Sequence, residues 1–160
     1  MLIRAMTQSD WPQVSRIYAM SIETGHATFN TVCPDWETWD RIHHKVCRLV
    51  AVDGEEIVGW VALTPISSRP VFNGVAEVSI YVNLERRRQG IGRQLLESLI
   101  RESEKEGFWT LQSTVFTDNV ASRHLHEACG FRMVGYRERL SRNRFGQWQD
   151  TYLMERRSSL

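Results

Sequence analysis

The clearest chemistry in the chain lies between Glu77 and Gly107, which reads EVSIYVNLERRRQGIGRQLLESLIRESEKEG. Glu77-Val78-Ser79-Ile80-Tyr81-Val82 is rich in β-branched and aromatic residues and reads as a buried strand. Arg86-Arg87-Arg88-Gln89-Gly90-Ile91-Gly92-Arg93 follows. From Ile91 onward, Leu95, Leu96, Leu99 and Ile100 fall on one face at helical spacing, and Gly107 is placed to stop the helix. A strand therefore passes through a glycine turn into an amphipathic helix. The first amides of a helix have no partner within it, and the peptide dipoles add partial positive charge there, so such a turn is an anion site. Two common phosphate loops fail the pattern. No lysine follows Gly92, as a P-loop requires, and the dinucleotide fingerprint needs a third glycine.

The elements that must position this turn are legible on both sides of it. Leu2 to Met6 reads as a strand, and Thr7 to Asp10 supplies capping side chains ahead of Pro12 and a helix that carries Val14, Ile17, Tyr18 and Ile22 inward. Ile22 to Phe29 lacks periodicity and is expected to be a loop. Pro34-Asp35 opens a second helix with Trp36, Trp39, Ile42, His43 and Val46 on one face. Arg48 to Val52 and Ile57 to Leu63 form a hairpin about Asp53-Gly54, and Thr64 to Gly74 is a loop. Phe108 to Phe116 is a strand with Trp109, Leu111 and Val115 buried. Asp118-Asn119 caps a short helix ending at Cys129-Gly130. Phe131 to Leu140 and Trp148 to Glu155 close the chain as a hairpin around Asn143 to Gly146. The predicted order is β α α β β β α β α β β, a mixed α/β sheet.

Arg87-x-x-Gly90-x-Gly92, on this strand and helix, resembles the acyl-coenzyme A pyrophosphate loop of the GNAT N-acetyltransferase superfamily, which uses the same element order. Asn119-x-x-Ser122-x-x-x-His126-x-x-x-Gly130-Phe131 is similar to the superfamily's second signature. Ile22-Glu23-Thr24, Ala27-Thr28-Phe29, Ala76 to Val82, His126-Glu127 and Phe145-Gly146-x-Trp148-x-Asp150 resemble the phosphinothricin and methionine sulfoximine N-acetyltransferases. The resemblance departs at Gln149, where some members carry His, and at Phe131, where some carry Tyr. It implies a GNAT fold, α/β, with a mixed, mostly antiparallel sheet of about seven strands flanked by about four helices, in one domain over residues 1–160. It also implies acetyl-CoA as cosubstrate, a small-molecule amine as acceptor and a homodimer.

Acetyl transfer to an amine needs the neutral amine, and an α-amino group titrates at about 7.7 to 8.0, so a base is useful. Glu77, an acid opening an otherwise apolar strand, is either paired or functional. The resemblance places a catalytic glutamate there, acting through water. His126 is a candidate donor to the departing thiolate, or else a packing histidine. The resemblance implies an irregular point within Glu77 to Val82 that frees amides for the developing oxyanion. Ile80, Tyr81 and Val82 are thus expected along the coenzyme, with Arg87, Arg88, Gln89, Gly90, Ile91, Gly92 and Arg93 around its pyrophosphate. Asn119 and Ser122 are expected near the pantetheine arm, Asn119 being equally suited to capping its helix. Arg69 is the candidate fork for a substrate carboxylate, with Glu23, Thr28, Phe29 and Tyr81 as pocket walls.

Composition limits the alternatives. Twenty basic and nineteen acidic residues give a net charge of +1, which favours neither nucleic acid nor an anionic membrane. The basic hairpin with Arg137, Arg139, Arg142 and Arg144 is broken by Glu138 and reads as an exposed ribbon. No apolar run approaches the roughly 18 residues of a membrane span, and the N-terminal apolar run is too short for a secretory signal, so a cytoplasmic protein is expected. Cys33, Cys47 and Cys129 are odd in number and lack Cys-x-x-Cys spacing, so free thiols are expected. His26, His43, His44 and His124 have no metal-ligand spacing with them, and no metal is expected. An N-acetyltransferase for the α-amine of a small amino-acid analogue stands first. An enzyme for another amine, such as a polyamine, aminoglycoside or protein terminus, and a non-catalytic acyl-coenzyme A binding module are the alternatives.

Overall fold

The computed structural model describes residues 1–160. Its elements are β1 (Leu2–Ala5), α1 (Trp11–Thr24), α2 (Trp36–Ile42), β2 (Leu49–Asp53), β3 (Glu56–Pro65), β4 (Val75–Val82), α3 (Ile91–Lys105), β5 (Thr110–Phe116), α4 (Val120–Ala128), β6 (Arg132–Arg142) and β7 (Trp148–Arg157). Seven strands form one sheet in the order β1-β2-β3-β4-β5-β7-β6. Only β4 and β5 run parallel, because the crossover through α3 returns the chain in the same direction. The predicted element order is therefore the observed one.

β3, an interior strand next to β4, is covered on both faces because its sequence is apolar on both. Val61 and Leu63 point toward α3, where Leu95, Leu96 and Leu99 are fully buried. Trp60 and Ala62 point the other way, toward Val14, Ile17 and Tyr18 of α1 and Trp39 of α2. Each of those leucines contributes about 1.5–3 kcal/mol by leaving water, so α3 is pinned to the sheet by the stripe that the sequence shows. Arg4 of β1 grips the buried Asp10 with two bonds of 2.8 Å, and Thr7 N–H donates to the same carboxylate at 2.8 Å, which fixes the start of α1.

Three local expectations need correction. α1 continues through Ile22, Glu23 and Thr24 and closes at Gly25, which is left-handed at φ 71°; the short polar stretch lacks periodicity but remains helical because Ile22 is buried in the core. α2 stops at Ile42, since His43 is extended, so Ile42 and Val46 leave the buried face and are exposed. Trp109 precedes β5 instead of lying within it and is 43% exposed, its ring over Gly74.

Candidate active site

The sheet splits at Glu77. β4 and β5 pair only at Val75↔Thr110, Ala76↔Leu111 and Glu77↔Gln112. Beyond that rung β4 follows β3 as far as Val82↔Gly59, while β5 follows β7 as far as Phe116↔Thr151. The β3–β4 register runs without a shift, so the irregularity expected inside β4 is a fork between two strands instead. Asn83 N–H donates to Val58 O at 2.9 Å, and by the alternation of an antiparallel ladder the Ile80 and Val82 amides face away from β3, into the fork.

Glu77 stands at the apex. Gln112 Nε2 and Thr114 Oγ1 each donate to its Oε1 at 3.2 Å, and Oε2 receives no protein donor. One oxygen thus anchors the carboxylate and the other is left for a ligand or water.

Below the fork the chain enters α3 through Gly90, whose φ of 75° suits glycine and whose missing Cβ leaves open space. No backbone N–H from Arg87 to Arg93 finds a protein acceptor; Gln94 is the first to return, to Gly90 O at 3.2 Å. Seven consecutive free amides at a helix N-terminus form a diphosphate cradle. Gly92 keeps the helix close to α4, since a Cβ there would sit 3.1 Å from Leu125 Cδ2. Arg86 is spent structurally on Asp53 and Glu56 of the β2–β3 turn, and Arg93 pairs with Glu97 at 2.8 Å. Arg87 and Arg88 are exposed with no carboxylate partner.

This turn, the fork and the start of α4 enclose a cavity of about 850 Å³. Ile80, Tyr81, Val82, Arg87 to Arg93, Asn119 and Ser122 all line it. Asn119 does two jobs: its Oδ1 caps α4 by accepting from Ser122 N–H at 3.1 Å, and its Nδ2 donates to His26 O at 3.3 Å. His26 Nδ1 also meets Asp118 at 2.9 Å, so the segment after α1 is tied to the β5–α4 turn at the cavity rim.

A second cavity of about 340 Å³ lies on the α1–α2 side and shares Ala27 and Tyr81 with the first. Glu77, Thr28, Phe29 and Tyr81 line it, as do Tyr18, Asn30, Trp39, His43, Thr114 and Phe116, which the sequence reading did not single out as wall residues. The indole face carrying Trp36, Trp39 and His43 was the available signal for that wall. Burial raises the Tyr18 and Tyr81 phenols above their usual range, so both stay protonated hydrogen-bonding groups.

Three expected site residues are not brought to this centre. Arg69 is exposed, stacks its guanidinium 5.4 Å from the Phe72 ring and lines neither cavity. Glu23 lies on the exposed face of α1, away from both cavities, because Ile22 takes the inward position. His126 is 1% exposed and lines neither cavity. Its Nδ1–H donates to Ser122 O at 2.7 Å, its Nε2 is buried without a partner, and its ring meets Phe131 edge-on at 5.0 Å. Burial lowers its pKa, which favours the neutral ring and the packing role.

The fold and the amide cradle are those of an acyl-coenzyme A transferase, and residues 8–131 match the acetyltransferase (GNAT) family model; the chain belongs to that family. It is 33% identical to the phosphinothricin N-acetyltransferase of Alcaligenes faecalis, over 96% of this chain and 81% of that protein. It is 28% identical to the L-methionine sulfoximine/L-methionine sulfone acetyltransferase of Pseudomonas aeruginosa, over 96% and 92%. The crystal structure of the phosphinothricin acetyltransferase of Sinorhizobium meliloti in complex with acetyl-CoA superposes with a TM-score of 0.88 at 25% identity, covering 98% of this chain and 87% of that one. The chain is a GNAT acetyltransferase, and the Sinorhizobium meliloti protein holds acetyl-CoA. The free amides of Arg87 to Arg93 fit the pyrophosphate of that group. No set of three or more His, Cys, Asp or Glu side chains gathers as metal ligands, and all three cysteines are free.

Proposed function

We propose that the chain acetylates the α-amine of a small amino-acid analogue of the phosphinothricin, methionine sulfoximine or methionine sulfone type, by direct attack in a ternary complex. The observation that carries this reading is the meeting of the two cavities at Ala27 and Tyr81, with Glu77 in the smaller and the free amides in the larger. Bound acetyl-CoA supplies an activated acetyl group. Glu77 takes the ammonium proton, directly or through one water, with Oε1 held by Gln112 and Thr114. The Ile80 and Val82 amides face the fork as donors for the carbonyl oxygen, which gains charge as the N–C bond forms and loses it as the C–S bond breaks. The nitrogen gives up its second proton to solvent as the intermediate collapses, and the leaving sulfur takes one from solvent, since His126 lines neither cavity.

The relatives support the substrate class, and the whole described chain is proposed to act as one such domain, working as a homodimer in the cytoplasm. Thiol release from acetyl-CoA with a panel of amines tests the activity. Turnover of the sulfoximine, sulfone and phosphinothricin is expected. Tight coenzyme binding with no turnover of any amine would favour a sensing module instead. One feature favours a second reading, an amine without a carboxylate: the lining of the smaller cavity includes no Lys or Arg. Decarboxylated analogues in the same panel separate the two.

A further inference from the structure

The smaller cavity is lined by an imidazole that the reaction above does not use. His43 is 7% exposed and forms part of the wall. Its ring stacks on Trp39 with centroids 4.0 Å apart, and Trp60 stands edge-on to it at 6.4 Å. Nδ1 lies 2.7 Å from Trp39 O. A carbonyl only accepts, so Nδ1 carries the proton and the neutral ring keeps its lone pair on Nε2. Nε2 has no protein partner and is not among the sealed polar atoms, so it opens onto the cavity.

The ring is also fixed in place relative to Glu77. His44 N–H donates to Leu63 O at 2.8 Å, and Thr64, the next residue of β3, is the cross-strand partner of Glu77. The segment carrying His43 is thus about two strand spacings, roughly 10 Å between backbones, from the strand carrying Glu77. His43 and Glu77 line the same cavity, so one short amino-acid substrate can face both groups. Resting on the substrate class proposed above, we infer that His43 is a specificity-determining acceptor: its Nε2 receives a hydrogen bond from the distal end of the amine substrate, so that the enzyme favours a tail ending in an N–H donor over one ending only in acceptor oxygens. Burial holds the imidazole neutral, with a pKa of about 4, so it keeps this role throughout neutral pH.

Methionine sulfoximine and methionine sulfone form a matched pair, differing in one =NH against one =O. A hydrogen bond made by one and lost by the other is worth about tenfold in kcat/KM. The wild-type enzyme is expected to prefer the sulfoximine by that factor. His43→Phe, which keeps the stack on Trp39 and removes the acceptor, should bring the ratio close to one by raising KM for the sulfoximine. His43→Gln, which restores an acceptor oxygen, should recover part of the preference. An unchanged ratio in His43→Phe overturns the inference. The imidazole ¹⁵N spectrum of the intact protein needs no substrate. The Nδ1–H neutral tautomer is expected from pH 6 to 8, and an Nε2–H tautomer overturns the assignment whichever amine reacts. Failure of wild-type enzyme to acetylate either compound sinks the proposed substrate class, a result distinct from the tautomer.

Discussion

Gln112 donates to Glu77 across the last rung that β4 and β5 share, at 3.2 Å, and Thr114 donates to the same oxygen from two residues farther along β5, where the strands have parted. The carboxylate is held where the sheet opens, with Oε2 uncommitted. Glu77→Gln retains the shape and removes the base. Turnover is expected to fall about 10²- to 10⁴-fold, the usual worth of a positioned acid or base, with the coenzyme dissociation constant within about twofold of wild type. Steady-state kinetics with calorimetric titration of coenzyme checks both numbers. Unaltered turnover removes Glu77 from proton transfer.

Gly90 tests the cradle. At φ 75° a β-branched side chain is strained by about 1–2 kcal/mol, although nothing stands within 4 Å of its Cβ position to clash. Gly90→Val should therefore lower Tm by several degrees and weaken coenzyme binding at least tenfold as the amides of Arg87 to Arg93 turn away. Binding as tight as wild type would place the diphosphate elsewhere.

What could be read from the sequence is what local chemistry determines. Ile91, Leu95, Leu96 and Leu99 announce α3, and Gly90 and Gly92 announce its bare N-terminus, because periodicity and missing side chains are visible without a fold. The fork at Glu77 was not visible as such. It depends on where β5, more than thirty residues away, leaves the ladder, and no residue in β4 encodes that alone. Arg69 and Glu23 fail for a related reason: residue type suggested a role, but only the packing of Phe72 and Ile22 decides which way each faces. His126 has the spacing of a functional residue because Ser122, four residues earlier on α4, does line the cavity, yet its ring points into the core against Phe131.

His126→Leu addresses that last point directly. The substitution removes a ring that touches neither cavity, together with its bond to Ser122 O and a buried nitrogen lacking a partner. The lost bond and the relieved desolvation oppose each other, each about 1 kcal/mol, so stability should change little. At pH 7 kcat should stay within about threefold of wild type. A fall of two orders of magnitude with intact coenzyme binding would restore the histidine as proton donor.

Acid stability follows from the imidazoles buried in neutral form. Burial drives the His43 pKa down to about 4, against the bond to Trp39 O that raises it, and burial also lowers His126 and His44. In the unfolded chain each titrates near 6.5. Below that pH the unfolded state binds more protons than the native state, so stability must fall as pH drops from about 6.5 toward 4 and level off once native His43 is also protonated. For His43 alone the loss is about 3 kcal/mol. Asp10, held low by its bonds to Arg4, acts with the same sign but in a lower window, below its ordinary value of 3.8, so the two contributions separate on the pH axis. Urea midpoints measured at intervals between pH 7 and 4 should decline steadily in wild type. In His43→Phe the decline over that window should be markedly shallower, leaving the parts due to His126 and His44, with the m value unchanged. A variant whose midpoints track wild type throughout would show that the His43 ring is charged or solvated in the folded protein, contrary to the stack on Trp39 and the bond to its carbonyl.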